Sequence, residues 1–218
     1  MSPRRYDSQV RDAAARETRH RVLEAARASF LAEGYSRTTV KAIAAAAGVS
    51  EQTVYSRIGG KAAILKAVYD TALAGDDAPI PQAERPATTR LQHAGDARTL
   101  LAEYAELATD INARLRPLLE LVHGARAVEP DLDELARTGA RERRFGTTMM
   151  AKHFVGAGFA RPGLDEQSVL DLVWVLNSPE VYLLQVRENG LTDEQYRNWL
   201  TQTLLDSLTD RRGTGSAG

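Results

Sequence analysis

Apolar side chains recur along this chain at intervals of three and four residues, and no stretch alternates in the manner of a strand, so the pattern predicts an all-α fold. A first helix carries Val22, Leu23, Ala26 and Phe30 on one stripe and stops at Gly34. A short second helix is expected from Thr38 or Thr39, whose hydroxyls can cap it, with Val40, Ile43, Ala44 and Ala47 inside and Gly48 at its end. Ser50 caps a third helix with Glu51 in its first turn, where the helix dipole favours a carboxylate, and with Val54 and Ile58 buried. Gly59-Gly60 closes it, and Ile64, Leu65 and Val68 mark a fourth helix to about Ala74.

Between Gly75 and Gly95 the residues turn to Asp, Pro, Gln, Thr and Gly, which reads as a boundary loop with at most one helical turn. Helices then resume. Asp96 can cap one that buries Leu100, Leu101, Tyr104, Leu107, Ala108 and Ile111, and Pro117 marks either a kink or the start of the next. Pro130 fits the first turn of a long helix to Phe154. Asp165 opens another that is apolar nearly all round. Ser178-Pro179 restarts the chain, Gly190 stops it, and Thr192 with Gln195 forms a capping box before the last helix. The tail from 211 to 218 is expected to be disordered.

Charge changes this picture. Residues 1–66 hold nine Arg and three Lys against two Asp and four Glu, a net of +6, so the rest carries −7 to give the total of −1. A basic first third joined to an acidic body points to a polyanion partner at the N-terminal end. Arg4, Arg5, Arg11 and Arg16 make residues 1–16 either an arm that follows phosphates or enters a minor groove, or a disordered basic tail. With no cysteine, disulfide frameworks and cysteine zinc sites are excluded. The opening residues contain no secretory core and no segment reaches the roughly 20 apolar residues of a membrane span, so a cytoplasmic location is expected. His20, His93, His123 and His153 are far apart, and no metalloprotease, phosphate-loop, dinucleotide or nucleophile-elbow motif occurs. The expectation is therefore of no enzyme, no metal and no cofactor. The acidic runs 131–134 and 165–166 read as helix starts.

Within the basic part, the run from Ile43 to Val54 has the spacing of a helix-turn-helix. Ala44 allows two helices to cross closely, Gly48 supplies the turn, and Val49 and Val54 fill the angle, so that the second helix stands out far enough to enter a major groove about 12 Å wide. The stretch from Arg21 to Leu65, with Phe30, Gly34-Tyr35, Thr38-Thr39, Ile43-Ala44, Ala47-Gly48-Val49-Ser50, Val54-Tyr55 and Lys61, resembles the DNA-binding domain of the TetR family of bacterial regulators. The resemblance implies a helix-turn-helix domain over 17–66 and a larger helical ligand-binding and dimerisation domain over 67–210. It places Ser50, Gln52, Thr53, Tyr55, Ser56 and Arg57 on or beside the recognition helix, with Thr39 and Lys41 approaching the DNA backbone and Tyr55 and Lys61 contacting phosphates. Gln52 and Arg57 are the expected base readers, since Gln pairs well with adenine and Arg with guanine. Ile58 departs from the family, which usually has an aromatic there, and Gly59-Gly60 makes the next turn unusually free.

The same resemblance implies a homodimer on a double-stranded, two-fold operator, with half-sites about 34–36 Å apart or a multiple of that. Trp174, Tyr182, Tyr196, Trp199, Leu204 and Leu208 are the expected dimer surface, and Tyr104, His123, Phe145, Met149, Met150, His153 and Trp174 the expected lining of a site for a small-molecule ligand. The function expected is a repressor released from its operator by that ligand. A regulator acting as an activator or with a co-repressor, and a helical ligand-binding protein without specific DNA recognition, are the alternatives.

Overall fold

The computed structural model describes residues 3–76, 78 and 80–210, and all regular structure among them is helical. Ten α-helices follow in order: α1 Pro3–Glu33, α2 Val40–Ala47, α3 Glu51–Arg57, α4 Lys61–Ala74, α5 Pro86–Gln92, α6 Ala97–Ala125, α7 Pro130–Gly156, α8 Glu166–Leu176, α9 Pro179–Leu183 and α10 Asp193–Leu208. The backbone of the basic leader is thus helical from residue 3, continuous with α1. The tail expected to be disordered, 211–218, lies outside the described residues, as do Met1 and Ser2.

The chain divides into two compact units, one of Met1–Asp77 and Pro117–Leu135, the other of Ala78–Arg116 and Ala136–Gly218. This differs from a single cut after residue 66. Helix α4 stays with the first unit because Ile64, Leu65 and Val68 are buried and the helix packs on α1. Pro117 does not divide two helices either, since α6 runs through it. The loop expected over 75–95 contains more order than predicted, a 3-10 turn at Gln82–Glu84 and the seven residues of α5, which Pro86 opens at a position where its missing N–H costs nothing.

In the first unit, α1 packs on α2 and α4, and its Val22, Leu23, Ala26 and Phe30 are all buried. Second-unit helices begin where side chains cap them: Asp96 accepts the Thr99 N–H at 2.9 Å, Asp165 that of Ser168 at 2.8 Å and Ser178 that of Val181 at 3.2 Å. Thr192 and Gln195 close the reciprocal box at the start of α10. After α9 the chain makes a π-turn over Leu184–Glu188 before Gly190, whose φ of 73° lets it reverse. Arg161 donates its backbone N–H to the Leu208 carbonyl at 2.8 Å and Nε to that of Ser207 at 3.0 Å, pairing carbonyls that the end of α10 leaves open.

Candidate nucleic-acid interface

The interface is built from α2 and α3 outward. Thr39, extended at φ −118°, accepts the Ala42 N–H at 3.1 Å and starts α2. Ala44 is buried at the crossing. Gly48, at φ 66°, ends α2 in the left-handed conformation, and the Val49 N–H returns to the Ala44 carbonyl at 3.0 Å. Ser50 then accepts the Thr53 N–H at 3.1 Å, and its hydroxyl pairs with that of Thr53 at 2.8 Å. Val54 is the one fully buried side chain of α3 and fixes that helix against the domain.

Of the nine residues expected to meet DNA, five already have a local partner. Thr39 and Ser50 cap helices, Thr53 pairs with Ser50, and Ser56 donates to the Thr53 carbonyl at 3.1 Å. Lys61 donates to the Tyr35 carbonyl at 2.9 Å, and its ammonium lies 4.1 Å from the centroid of the Tyr35 ring. The other four, Lys41, Gln52, Tyr55 and Arg57, are exposed and make no side-chain hydrogen bond or ion pair among the described residues. They are the groups this domain leaves to solvent. Ile58 is corrected in one respect: it is only half-buried and terminates α3 instead of lying within it. Gly59 adopts φ 121°, so glycine there is a requirement of the turn and more than a freedom.

Tyr35 was legible only as part of the family pattern, yet it holds this site together. Gly34 at φ 82° turns the chain so that the Tyr35 ring stacks on Phe30, with centroids 5.6 Å apart. Its hydroxyl donates to Asp131 at the start of α7, and Ser36 donates to Glu129 beside it. Burial, then the hydrogen bond to Asp131, pushes the Tyr35 phenol well above its usual range, so it stays protonated and a donor.

These residues also carry the likeness to known proteins. Residues 22–68 match the profile of bacterial regulatory proteins of the tetR family. The match to the family thus lies in the first unit, over the helix-turn-helix and the helices on either side of it. Two helix-turn-helix regulators of Pseudomonas putida, ArpR and TtgR, are 32% and 31% identical to it over 122 residues, which is 56% of this chain and 56% of each of them. The chain thus matches just over half the length of these relatives. Among solved structures, SmeT, the repressor of the Stenotrophomonas maltophilia multidrug efflux pump SmeDEF, superposes with a TM-score of 0.63 at 18% identity, covering 93% of this chain and 96% of its own. SmeT in complex with triclosan gives 0.67 at 21%, covering 92% and 95%. At such identities the fold is what is shared.

In the second unit, Tyr104 and Trp174 are brought together through two other side chains. Asn177 donates to the Tyr104 hydroxyl, while Arg143 donates to Asn177 Oδ1 at 2.5 Å and to the Trp174 carbonyl at 2.7 Å. The Arg143 guanidinium lies 3.5 Å from the centroid of the Trp174 ring, with that of Arg144 at 5.5 Å. Burial raises the Tyr104 phenol above its usual range, keeping it neutral. Arg143 and Asn177 had no sequence signal as members of this cluster. His153 is half-buried with Nε2 buried and unpartnered among the described residues. Three residues expected in the ligand lining are placed otherwise: Phe145 is 72% exposed, Met149 53% exposed, and His123 is exposed on the first unit. A helical period identifies a face without telling whether that face is covered.

The expected dimer surface needs the same correction. Tyr182, Tyr196, Leu204 and Leu208 have no exposed area within the single chain. Tyr182 and Tyr196 meet edge to face at 5.0 Å and fill the core. Only Trp174 and Trp199 of that set are half-buried. The large apolar side chains this unit exposes on α8 and beyond are Val175 and Leu184, 57% and 53% exposed.

Proposed function

We propose that the chain is a sequence-specific DNA-binding transcription regulator, a repressor that leaves a two-fold operator when a small molecule binds its second unit. The observation that carries this is the outward face of α3: Gln52 and Arg57 stand exposed and uncommitted on a helix fixed by Ser50 and Val54, flanked by Lys41 and Tyr55. Gln and Arg offer the paired donors and acceptors that discriminate adenine and guanine in the major groove. Lys61 opens α4, whose N-terminus has no side-chain cap, so an ammonium and open backbone N–H groups suit a phosphate there.

A helix of this length reads only a few base pairs, so specificity calls for a homodimer. Val175 and Leu184 are among the exposed apolar side chains available to it. For the small molecule, Tyr104, Trp174 and the half-buried His153 supply aromatic and polar contacts. Triclosan, with which SmeT forms a complex, is the first compound to try. A cytoplasmic location accords with this role, and among the described residues no helix is long and apolar enough to cross a membrane.

Selection of bound sequences from random duplex DNA tests the proposal. A two-fold consensus whose affinity falls with salt by a logarithmic slope of about −0.9 per phosphate contact is the expected result. Failure of active protein to enrich any two-fold sequence overturns it. If a ligand shown to bind strengthens the DNA complex, co-repression replaces induction.

A further inference from the structure

Lys61 occupies the first position of α4, where the positive end of the helix dipole disfavours a cation. Its placement there is supported from elsewhere, by the face of Tyr35 at 4.1 Å and the Tyr35 carbonyl at 2.9 Å. Tyr35 is itself fixed, buried against Phe30 on one side and tied by its hydroxyl to Asp131 in the first turn of α7. Ser36 ties the same turn to Glu129. All these groups lie within the first unit. One ring therefore links two things that are 70 residues apart in sequence, the head of α7 and the ammonium of Lys61.

We propose that Tyr35 is a positioning residue for Lys61, and that the head of α7 sets DNA affinity through it. The inference rests on the reading that Lys61 meets a phosphate. An ammonium has three donors, of which the Tyr35 carbonyl takes one, leaving the others for a phosphate oxygen. A free lysine loses much rotamer freedom when it binds, and one already held loses less. A displacement of Asp131 releases the phenol, loosens the turn at 34–38, and returns that entropic cost to the DNA complex. Because a phosphate contact carries no base information, the change acts on all sequences alike.

The test is a double-mutant cycle on the full chain, titrated against the selected operator and an unrelated duplex over a range of salt. Tyr35→Phe keeps the ring face and removes the bond to Asp131. It is expected to weaken binding to both duplexes about 3- to 10-fold. Asp131→Ala should match it, whereas Asp131→Asn, which keeps an acceptor, should restore near wild-type affinity. In a Lys61→Ala background, itself less steep in salt by about 0.9, Tyr35→Phe should cost less than about twofold. Thermal melts establish that each variant is folded, and titration of active fractions separates lost affinity from lost protein. Equal losses in both backgrounds, or a loss confined to the operator, overturns the positioning role. A wild-type chain that binds neither duplex overturns the regulator reading and this role with it, whereas wild-type binding with additive losses overturns only the latter.

Discussion

Replacing Gly59 by alanine is expected to damage the joint between α3 and α4, and the size of the effect follows from the structure. At φ 121° a residue with a Cβ is strained by about 1–3 kcal/mol. The added Cβ also lies 3.0 Å from the Cβ of Ala63, which is fixed to the α4 backbone and has no flexible end to swing away. Against these costs, alanine restricts the unfolded chain and returns about 0.4–1 kcal/mol. Gly124→Ala is the matching control, for it lies in α6 with nothing within 4 Å of the new Cβ. It receives the same unfolded-state benefit without the strain and should stabilise by about 0.5–1 kcal/mol. The two variants therefore differ by roughly 2–3 kcal/mol, or about 4–12 °C in Tm for a chain of this size, with Gly59→Ala the lower. Circular dichroism melts measure this directly. Equal melting points would refute the strain argument, and the turn would then be free as the sequence suggested.

Ser50→Ala removes the cap of the recognition helix, so a loss of about 0.5–2 kcal/mol in stability and weaker binding to every DNA sequence are expected from melts and titrations. Arg57→Ala should relax preference at one position per half-site in a repeated selection, while Lys41→Ala lowers affinity for all sequences and reduces the salt slope by about one. Leu204→Ala should cost about 2–5 kcal/mol in the single chain, whereas Val175→Glu should leave the melt of the dissociated chain nearly unchanged and shift sedimentation toward monomer. Tyr35, Tyr182 and Tyr196 all have phenols raised above the usual value of 10.0, chiefly by burial. Above that value the unfolded chain releases these protons first, so stability is full below about pH 10 and falls as the pH climbs further. Denaturant titrations at increasing pH should show that decline, less steeply in Tyr35→Phe.

Helix boundaries were legible wherever a side chain decides them locally. Thr39, Ser50, Asp165, Ser178 and the pair Thr192 and Gln195 cap the helices that the sequence assigned to them, because each bond spans only three residues. The exposure of Gln52 and Arg57 follows from the same register. Contacts between distant segments were not legible. Tyr35 and Asp131 are 96 residues apart, and Asn177 and Tyr104 are 73 apart, so no local rule pairs them. Nor does a helical stripe say whether it faces the chain's own core, as Tyr182 and Leu204 do, or solvent, as Phe145 and Met149 do. Of the two readings open for Pro117, the start of a new helix is the one that fails, since α6 continues through it.

Helix α3 is only seven residues long and has a single fully buried side chain, Val54. A helix so short is far below the length that persists alone in water. It therefore exists only while α2 and the turn at Gly48 hold it, and the reading surface is present whole or absent altogether. The DNA binding proposed for this chain would accordingly serve as a sensor of its first unit's integrity: a population of molecules that binds half as well is half unfolded or lacks a contact, and the salt slope, unchanged in the first case and reduced in the second, tells which.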